Sequence, residues 1–255
     1  MEVIKTRAIG KIYKGYKGFL RKRELEALKE VNIEIKEGEV FGLLGLNAAG
    51  KSTLLKIFLG LIFPTQGEFE ILGEAEPSTK LKERIGFLPE DPSLYGYLSA
   101  RELLDFCGKL FRMNKASRRK RAMVLLDLVG LAKDKETRIR EFSRGMVQRL
   151  GIAMALTNDP ELIFLDEPLS GLDPVGRRKV KDIILELKKR GKTIFLSSHI
   201  LAEAEEICDR VGILHEGKLI CLKEIREIRK KNASLEEFFL QQVKENQKIP
   251  KKDSD

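Results

Sequence analysis

The chain has 255 residues, 42% of them hydrophobic, enough to bury a core in one domain with a subdomain or in two lobes. Its 48 Lys and Arg against 39 Asp and Glu leave a net charge of +9, which favours anionic partners (nucleotides, acidic lipid surfaces, nucleic acid) without choosing among them. Three cysteines far apart in the chain and two histidines argue against a disulfide framework, a metal knuckle or a His/Cys zinc site, so reduced thiols in a cytosolic protein are expected.

In chain order, Met1 to Gly10 alternates apolar and polar residues and has no apolar h-region, so secretion is not expected. Val31, Ile33 and Ile35 alternate with Asn32, Glu34 and Lys36 and predict a half-buried strand closed by a turn at Glu37-Gly38. Val40 to Leu44 is apolar on both faces, as a central parallel strand is. A helix from Ser52 to Leu61 follows, ended by Pro64 and Gly67. Leu54 to Phe63 is interrupted by Lys56 and falls short of the ~18 apolar residues of a membrane span, so no span of its own is expected. A short strand pair near Glu68 to Leu72 and a strand at Ile85 to Leu88 come next, and Ser99 to Thr157 reads as a helical insert.

Strand Glu161 to Asp166, helix Val175 to Lys189 and strand Thr193 to Ser197 then alternate as in an α/β parallel sheet with crossover helices. Arg210 to Leu214 and Lys218 to Leu222 flank His215-Glu216-Gly217 as a hairpin. Ser234 followed by Glu237 predicts a capped helix to Val243, and the polar end from Lys244 to Asp255 is expected to fray. The basic clusters Arg118 to Arg121, Arg177 to Lys179 and Lys188 to Arg190 read mostly as solvated helix faces.

Two constellations carry chemistry. Gly45-Leu46-Asn47-Ala48-Ala49-Gly50-Lys51-Ser52-Thr53, directly after a buried strand, has the spacing of a phosphate-binding loop. Its backbone N–H groups would surround the phosphates of a nucleoside triphosphate, Lys51 would reach between β and γ, and Ser52 would ligate Mg²⁺. A helix starting near Lys51 aims its positive end at the same anion. The second constellation is Leu162-Ile163-Phe164-Leu165-Asp166-Glu167, two carboxylates at the carboxyl end of a buried strand, the edge where open α/β sheets bind ligands. Asp166 is placed to hold Mg²⁺ and Glu167 to polarise an attacking water. A helix cap would also produce such a pair, but Pro168 disfavours it.

These segments resemble the ATP-binding subunits of ABC transporters. Gly45 to Thr53 is similar to the Walker A loop and Leu162 to Glu167 to the Walker B strand with its catalytic glutamate. Phe142-Ser143-Arg144-Gly145-Met146-Val147-Gln148-Arg149 resembles the LSGGQ signature and its Gln-Arg pair, and Ser170-Gly171-Leu172-Asp173 resembles the D-loop. His199 matches the switch histidine. Tyr13 is the candidate for the aromatic that stacks on adenine, with Tyr16, beside the insert Gly15 to Arg23, as its rival. The resemblance runs from about Val3 to Leu222, and Ser234 to Leu240 resembles the ending of stand-alone ATPase subunits of exporters for drugs, lipids and sodium.

The resemblance implies a P-loop NTPase (RecA-type) core with an antiparallel β subdomain and an inserted α-helical subdomain at about 92–158, together spanning 1–232, then a C-terminal helix and tail at 233–255. It implies ATP and Mg²⁺ as cofactors, with Ser52, Asp166 and Glu90 around the metal and Lys51, Glu167 and His199 in catalysis. Asn47, Ala48, Ala49, Gly50, Thr53 and Asp173 would join the nucleotide site. Ser143 and Gly145 would cover the ATP of a second copy, or of a related cassette, paired head to tail. The implied partners are transmembrane permease subunits on the cytoplasmic face of the cell membrane, with Tyr95, Tyr97 and Leu98 as residues that meet a partner helix or pack in the local core. The rival reading is a soluble ABC-type ATPase acting on nucleic acid or ribosomes, whose usual tandem cassettes, coiled coils or zinc hooks this sequence lacks.

Five positions depart from the family pattern. Leu46 and Ala48 stand for the usual Pro and Gly of the loop, and an alanine held at positive φ costs ~1 kcal/mol. Glu90 stands where many relatives carry the Q-loop glutamine. Arg144 and Met146 replace a glycine and the glutamine of the signature, while Ser143 and Gly145 keep its hydroxyl and helix-start N–H donors.

Overall fold

The computed structural model describes residues 1–17, 21–75, 78–230 and 233–248. The chain divides into two compact units: Met1–Lys36, Val40–Glu76 and Ser197–Asp255 form one, and Glu37–Glu39 with Pro77–Leu196 the other.

In the first unit, β1 (Glu2–Lys17) is the spine of an antiparallel sheet, paired with β2 (Arg21–Val31), β3 (Glu34–Lys36) and β5 (Gln66–Ile71). The alternation expected around Ile33 holds in burial, since Val31, Ile33 and Ile35 are all within 1% of full burial. The strand itself is broken at Asn32-Ile33, where side chains replace the ladder. Asn32 accepts the Ala8 N–H at 2.8 Å, and the Thr6 hydroxyl donates to the Val31 carbonyl while accepting from Ile33 N–H. A second layer sets β4 (Val40–Leu44), buried throughout, parallel to β9 (Arg210–His215), which pairs antiparallel with β10 (Lys218–Glu224). The expected hairpin is present, with Glu216 and Gly217 both at positive φ in its two-residue turn.

Helix α1 (Lys51–Phe58) ends earlier than the sequence suggests. Gly60, at φ +64, closes it: Leu61 N–H reaches the Lys56 carbonyl and Gly60 N–H the Ile57 carbonyl, the double bond of a glycine-terminated helix. Pro64 and Gly67 lie beyond that stop. Beyond α7 (Leu201–Ile207) and α8 (Ile225–Lys230), Ser234 and Glu237 form the expected reciprocal cap, but α9 (Leu235–Lys248) runs past Val243. Leu235 and Phe239 are buried and Leu235 N–H bonds Glu205, which anchors its start, while past Val243 the exposed turns are tied by Gln241 and Gln242 donating to Glu245. Residues 249–255 of the expected frayed tail lie outside the described residues.

In the second unit, β6 (Ile85–Leu88) and β7 (Leu162–Asp166) run parallel, Ile85 beside Leu162 and Leu88 beside Leu165, with β8 (Thr193–Ser198) on the other side of β7. After the short α2 (Thr79–Glu83) before β6, the chain between β6 and β7 is helical, as expected: α3 (Ala100–Leu110), α4 (Lys115–Leu128) and α5 (Arg144–Ala155), then α6 (Pro174–Lys189) after β7. The basic cluster on α4 is not simply solvated. Arg118 bonds Asp105 at 2.7 Å and the Met113 carbonyl, and Arg121 takes the Leu156 and Thr157 carbonyls that end α5. A guanidinium has enough donors to serve several acceptors at once, which makes it useful where helix ends leave carbonyls open.

Candidate functional site

The phosphate-loop candidate is built by close backbone approach. A Cβ on Gly45 would sit 2.4 Å from the Leu214 carbonyl oxygen, so the end of β4 can lie against β9 only with glycine there. Gly50, at φ +110, would bring a Cβ within 2.6 Å of the Ala27 carbonyl oxygen on β2. The Ala49 carbonyl accepts the Gly217 N–H at 3.0 Å, which ties the loop to the β9–β10 turn. Ala48 adopts φ +63, so the strain expected of that substitution is present. Lys51 is 7% exposed and its ammonium donates to the Gly45 carbonyl at 2.6 Å. Asn47, Ala48 and Ser52 are exposed and Thr53 is half-buried. The loop is thus a rigid backbone bracket around a cation, with its hydroxyl open to solvent.

Tyr13 lies on β1 opposite Leu25 of β2, two residues before the Ala27 that abuts Gly50. Its ring is 37% exposed and Lys11 Nζ stands 5.4 Å from its centroid. An aromatic face is therefore open on the strand pair that flanks the loop. The side chain of Tyr16 is outside the described residues.

In the second unit Asp166 closes β7, half-buried, and Glu167 follows at 6% exposure. Glu167 has φ +47 although it precedes Pro168, a combination that sterics disfavour and that surrounding structure must hold. Two bonds do so: Ser170 N–H to the Glu167 carbonyl at 3.1 Å, and Gln148 Nε2 to the Pro168 carbonyl at 3.2 Å. The β6–β7 register brings Glu90, exposed two residues beyond Leu88, to the same carboxyl-terminal edge as Asp166. No cluster of three or more His, Cys, Asp or Glu suited to a metal occurs among the described residues. His199 follows β8 in the first unit, exposed, in a turn where the Ser198 hydroxyl accepts Ile200 N–H at 3.0 Å.

Ser143 and Asp173 both prove to be helix caps. Ser143 Oγ accepts Met146 N–H at 3.3 Å at the start of α5, which leaves its hydroxyl proton to donate elsewhere. Asp173 Oδ1 accepts Gly176 N–H at 2.6 Å at the start of α6. The two starts abut, a Cβ on Gly145 lying 4.0 Å from Gly176 Cα. The Gln-Arg pair, not among the candidate site residues, is the brace of this region. Gln148 supports Pro168, as above. Arg149, 7% exposed, donates to the Val129 and Gly130 carbonyls at the end of α4, and burial lowers its pKa. The motif spacing was visible in sequence, but nothing in it distinguished a brace from a ligand contact.

Tyr95 and Tyr97 are 51% and 68% exposed, which excludes core packing for both. With Leu98 and Phe106 they line a cavity of about 420 Å³ whose charged lining is mixed, Arg101 and Lys109 with Glu102 and Asp105. Tyr95 meets Tyr97 at 5.8 Å and Phe106 edge-on at 6.1 Å.

The ABC transporter family model matches residues 28–170, from β2 through the phosphate loop, the signature and the Glu167 turn. The chain belongs to that family. An uncharacterised ABC transporter ATP-binding protein of Synechocystis is 49% identical over 228 residues, 89% of this chain and 64% of the relative. The bacitracin transport ATP-binding protein BcrA of Bacillus licheniformis is 41% identical over 242 residues, 93% of this chain and 75% of the relative. The match therefore spans about two thirds to three quarters of these relatives' length. Among solved structures, the dimeric post-hydrolysis state of the ATP-binding cassette MJ0796 with ADP and Pi superimposes with a TM-score of 0.76 at 30% identity, over 88% of this chain and 99% of that one. The cassette thus has the P-loop NTPase fold, mixed α/β with parallel and antiparallel sheets, and membership of the family makes ATP its ligand class. No described helix is long and apolar enough to cross a membrane.

Proposed function

We propose that the cassette binds and hydrolyses MgATP as the energising subunit of a membrane exporter, closing head to tail on a second copy or a related cassette. The observation that carries this reading is the Glu167 turn: a nearly buried carboxylate in a left-handed conformation before a proline, braced from α5, at the carboxyl end of β7. Strain maintained in this way is characteristic of functional positions. The domain division follows the family pattern, 1–232 as the ATPase with its helical insert at about 92–158 and 233–248 as the start of a C-terminal extension.

Lys51 would exchange its bond to Gly45 for phosphate oxygens, with the loop N–H groups around it. The Ser52 hydroxyl, exposed, and the Asp166 carboxylate are each oxygen donors of the kind Mg²⁺ takes alongside waters and phosphate oxygens, and the family pattern implies both as its ligands. The ion would neutralise phosphate charge. Glu90 would add a carboxylate at the same edge, and Tyr13 would stack on adenine. Ser143 and Gly145 would donate to the terminal phosphate bound by the partner, while Glu167 and His199 orient water for in-line attack. Hydrolysis would leave two repelling anions and open the pair.

The cavity beside Tyr95 and Tyr97, where aromatic rings meet charges of both signs, would receive a helix of the permease at the cytoplasmic face of the membrane. BcrA is named for bacitracin transport, which favours transport over action on nucleic acid or ribosomes. Sedimentation of Glu167→Gln with MgATP tests the core of the proposal: a trapped dimer with turnover lost is expected, and unchanged hydrolysis would reject the role of Glu167. For transport, a polytopic membrane protein should co-purify in mild detergent, whereas a ribosome or DNA in its place would reverse the choice.

A further inference from the structure

The start of α5 and the loop Ser170–Asp173 share a contact that neither the phosphate loop nor the Glu167 turn uses. Gly171 has φ +66, and a Cβ placed on it would lie 2.3 Å from Arg144 Cζ and 2.6 Å from both terminal guanidinium nitrogens. The guanidinium therefore covers bare glycine backbone, in space that any side chain at 171 would take. Arg84, Arg101, Arg118 and Arg138 each hold a carboxylate at 2.7 to 2.8 Å. Arg144, an exposed residue, has no such partner among the described residues, and the contact its guanidinium makes is with the Gly171 backbone. Ser143 before it and Gly145 after it are the residues assigned to the terminal phosphate, and Asp173 caps α6 immediately beyond the loop.

We infer that Arg144 is a positioning residue that ties the loop Ser170–Asp173 to the start of α5, so that the phosphate-facing Ser143 and Gly145 and the loop move as one body. The inference rests on the proposed ATPase cycle for its effect on rate, but not for the tie itself. Lys51 and its loop hold the nucleotide in their own chain, so the tie should affect turnover of the closed pair more than binding of ATP. A second signature arginine, Arg149, is already committed to the α4 carbonyls and cannot substitute.

The test is a double-mutant cycle in the full chain, with Arg144→Gly, Gly171→Ala and both together, followed by steady-state hydrolysis across MgATP concentrations. Each single change should lower kcat roughly tenfold with KM altered less than twofold, and the double variant should be no slower than the worse single one, as for residues in contact. Arg144→Lys, which keeps the charge but not the planar group over Gly171, should restore less than half of the wild-type rate. Additive losses, or full rescue by lysine, would overturn the tie in favour of simple charge attraction. Amide hydrogen exchange at Gly171 and Leu172 gives a readout without catalysis: Arg144→Gly should speed it at least fivefold. Unchanged exchange would defeat the inference whatever the ATPase rate. Faster exchange in a chain that never hydrolyses ATP would keep the tie and reject the function proposed above.

Discussion

On the proposed reading the phosphate loop and the signature region would both present donors to an anion, and they are built by different means. The loop is contiguous: from Gly45 to Thr53 one strand end, one turn and one helix start supply the donors, and its supports at Leu214, Ala27 and Gly217 are backbone. The signature region is assembled from segments distant in sequence, with Ser143 and Gly145 on α5, Asp173 and Gly176 on α6, and Gln148 reaching to Pro168. Backbone supports make the loop tolerant of side-chain change everywhere except where a Cβ cannot fit. Side-chain supports make the signature region dependent on particular residues, Gln148 and Arg149 above all.

The largest test of that contrast is Glu167→Gln, which should lower turnover by about 10² to 10⁴ if the carboxylate acts as general base, with the fold and nucleotide binding intact. Stopped-flow phosphate release measures it. Next comes Lys51→Ala, expected to weaken binding of a non-hydrolysable ATP analogue on the order of 100-fold while stability in urea changes little. A large stability loss would mean that the buried ammonium chiefly holds its own loop together through Gly45.

Arg149→Ala should cost about 2 to 4 kcal/mol in urea unfolding, since it opens a hole and leaves two helix-end carbonyls without their donor. Stability within ~0.5 kcal/mol of wild type would refute the brace. Ala48→Gly, in the opposite direction, should stabilise by roughly 1 kcal/mol by relieving φ +63, provided the loop's supports are as rigid as its geometry indicates.

The smallest effect lies outside both regions. Glu161, held below the ordinary carboxylate range first by its hydrogen bond to Arg84 and opposed by partial burial, contributes stability above its unfolded value near ~4.3. That contribution is lost as pH falls through the lowered folded value. The pair is about half exposed, so Glu161→Gln should flatten the acid side of the stability profile by no more than ~0.5 kcal/mol.

Much of this molecule was legible before its structure. Local pattern predicts β6 to the residue and β7, β8 and α6 within one, and it predicts the α9 cap and the hairpin at His215-Glu216-Gly217, of which His215 belongs to β9. The misses share a cause. The charge-rich β2 shows little two-residue alternation because its inner residues are few, and its pairing with β1 is a long-range choice. Pro64 and Gly67 are the louder signals for the end of α1, yet Gly60 closes the helix first. Arg118 and Arg121 looked solvated because charge alone does not reveal which carbonyls lie within reach.

By itself the sequence determined what depends on neighbours along the chain: the glycine spacing after β4, the carboxylates at the end of β7, the Ser234–Glu237 cap of α9. Such features need only a few residues and the fixed geometry of a strand end or a helix start. Only the tertiary structure decided which side chain braces which turn. Gln148 under Pro168, Arg149 on the end of α4 and Arg144 over Gly171 are all contacts between segments that are not adjacent in the chain. An arginine or glutamine carries the same donors wherever it stands, and its partner is set by whichever backbone folding brings within about 3 Å.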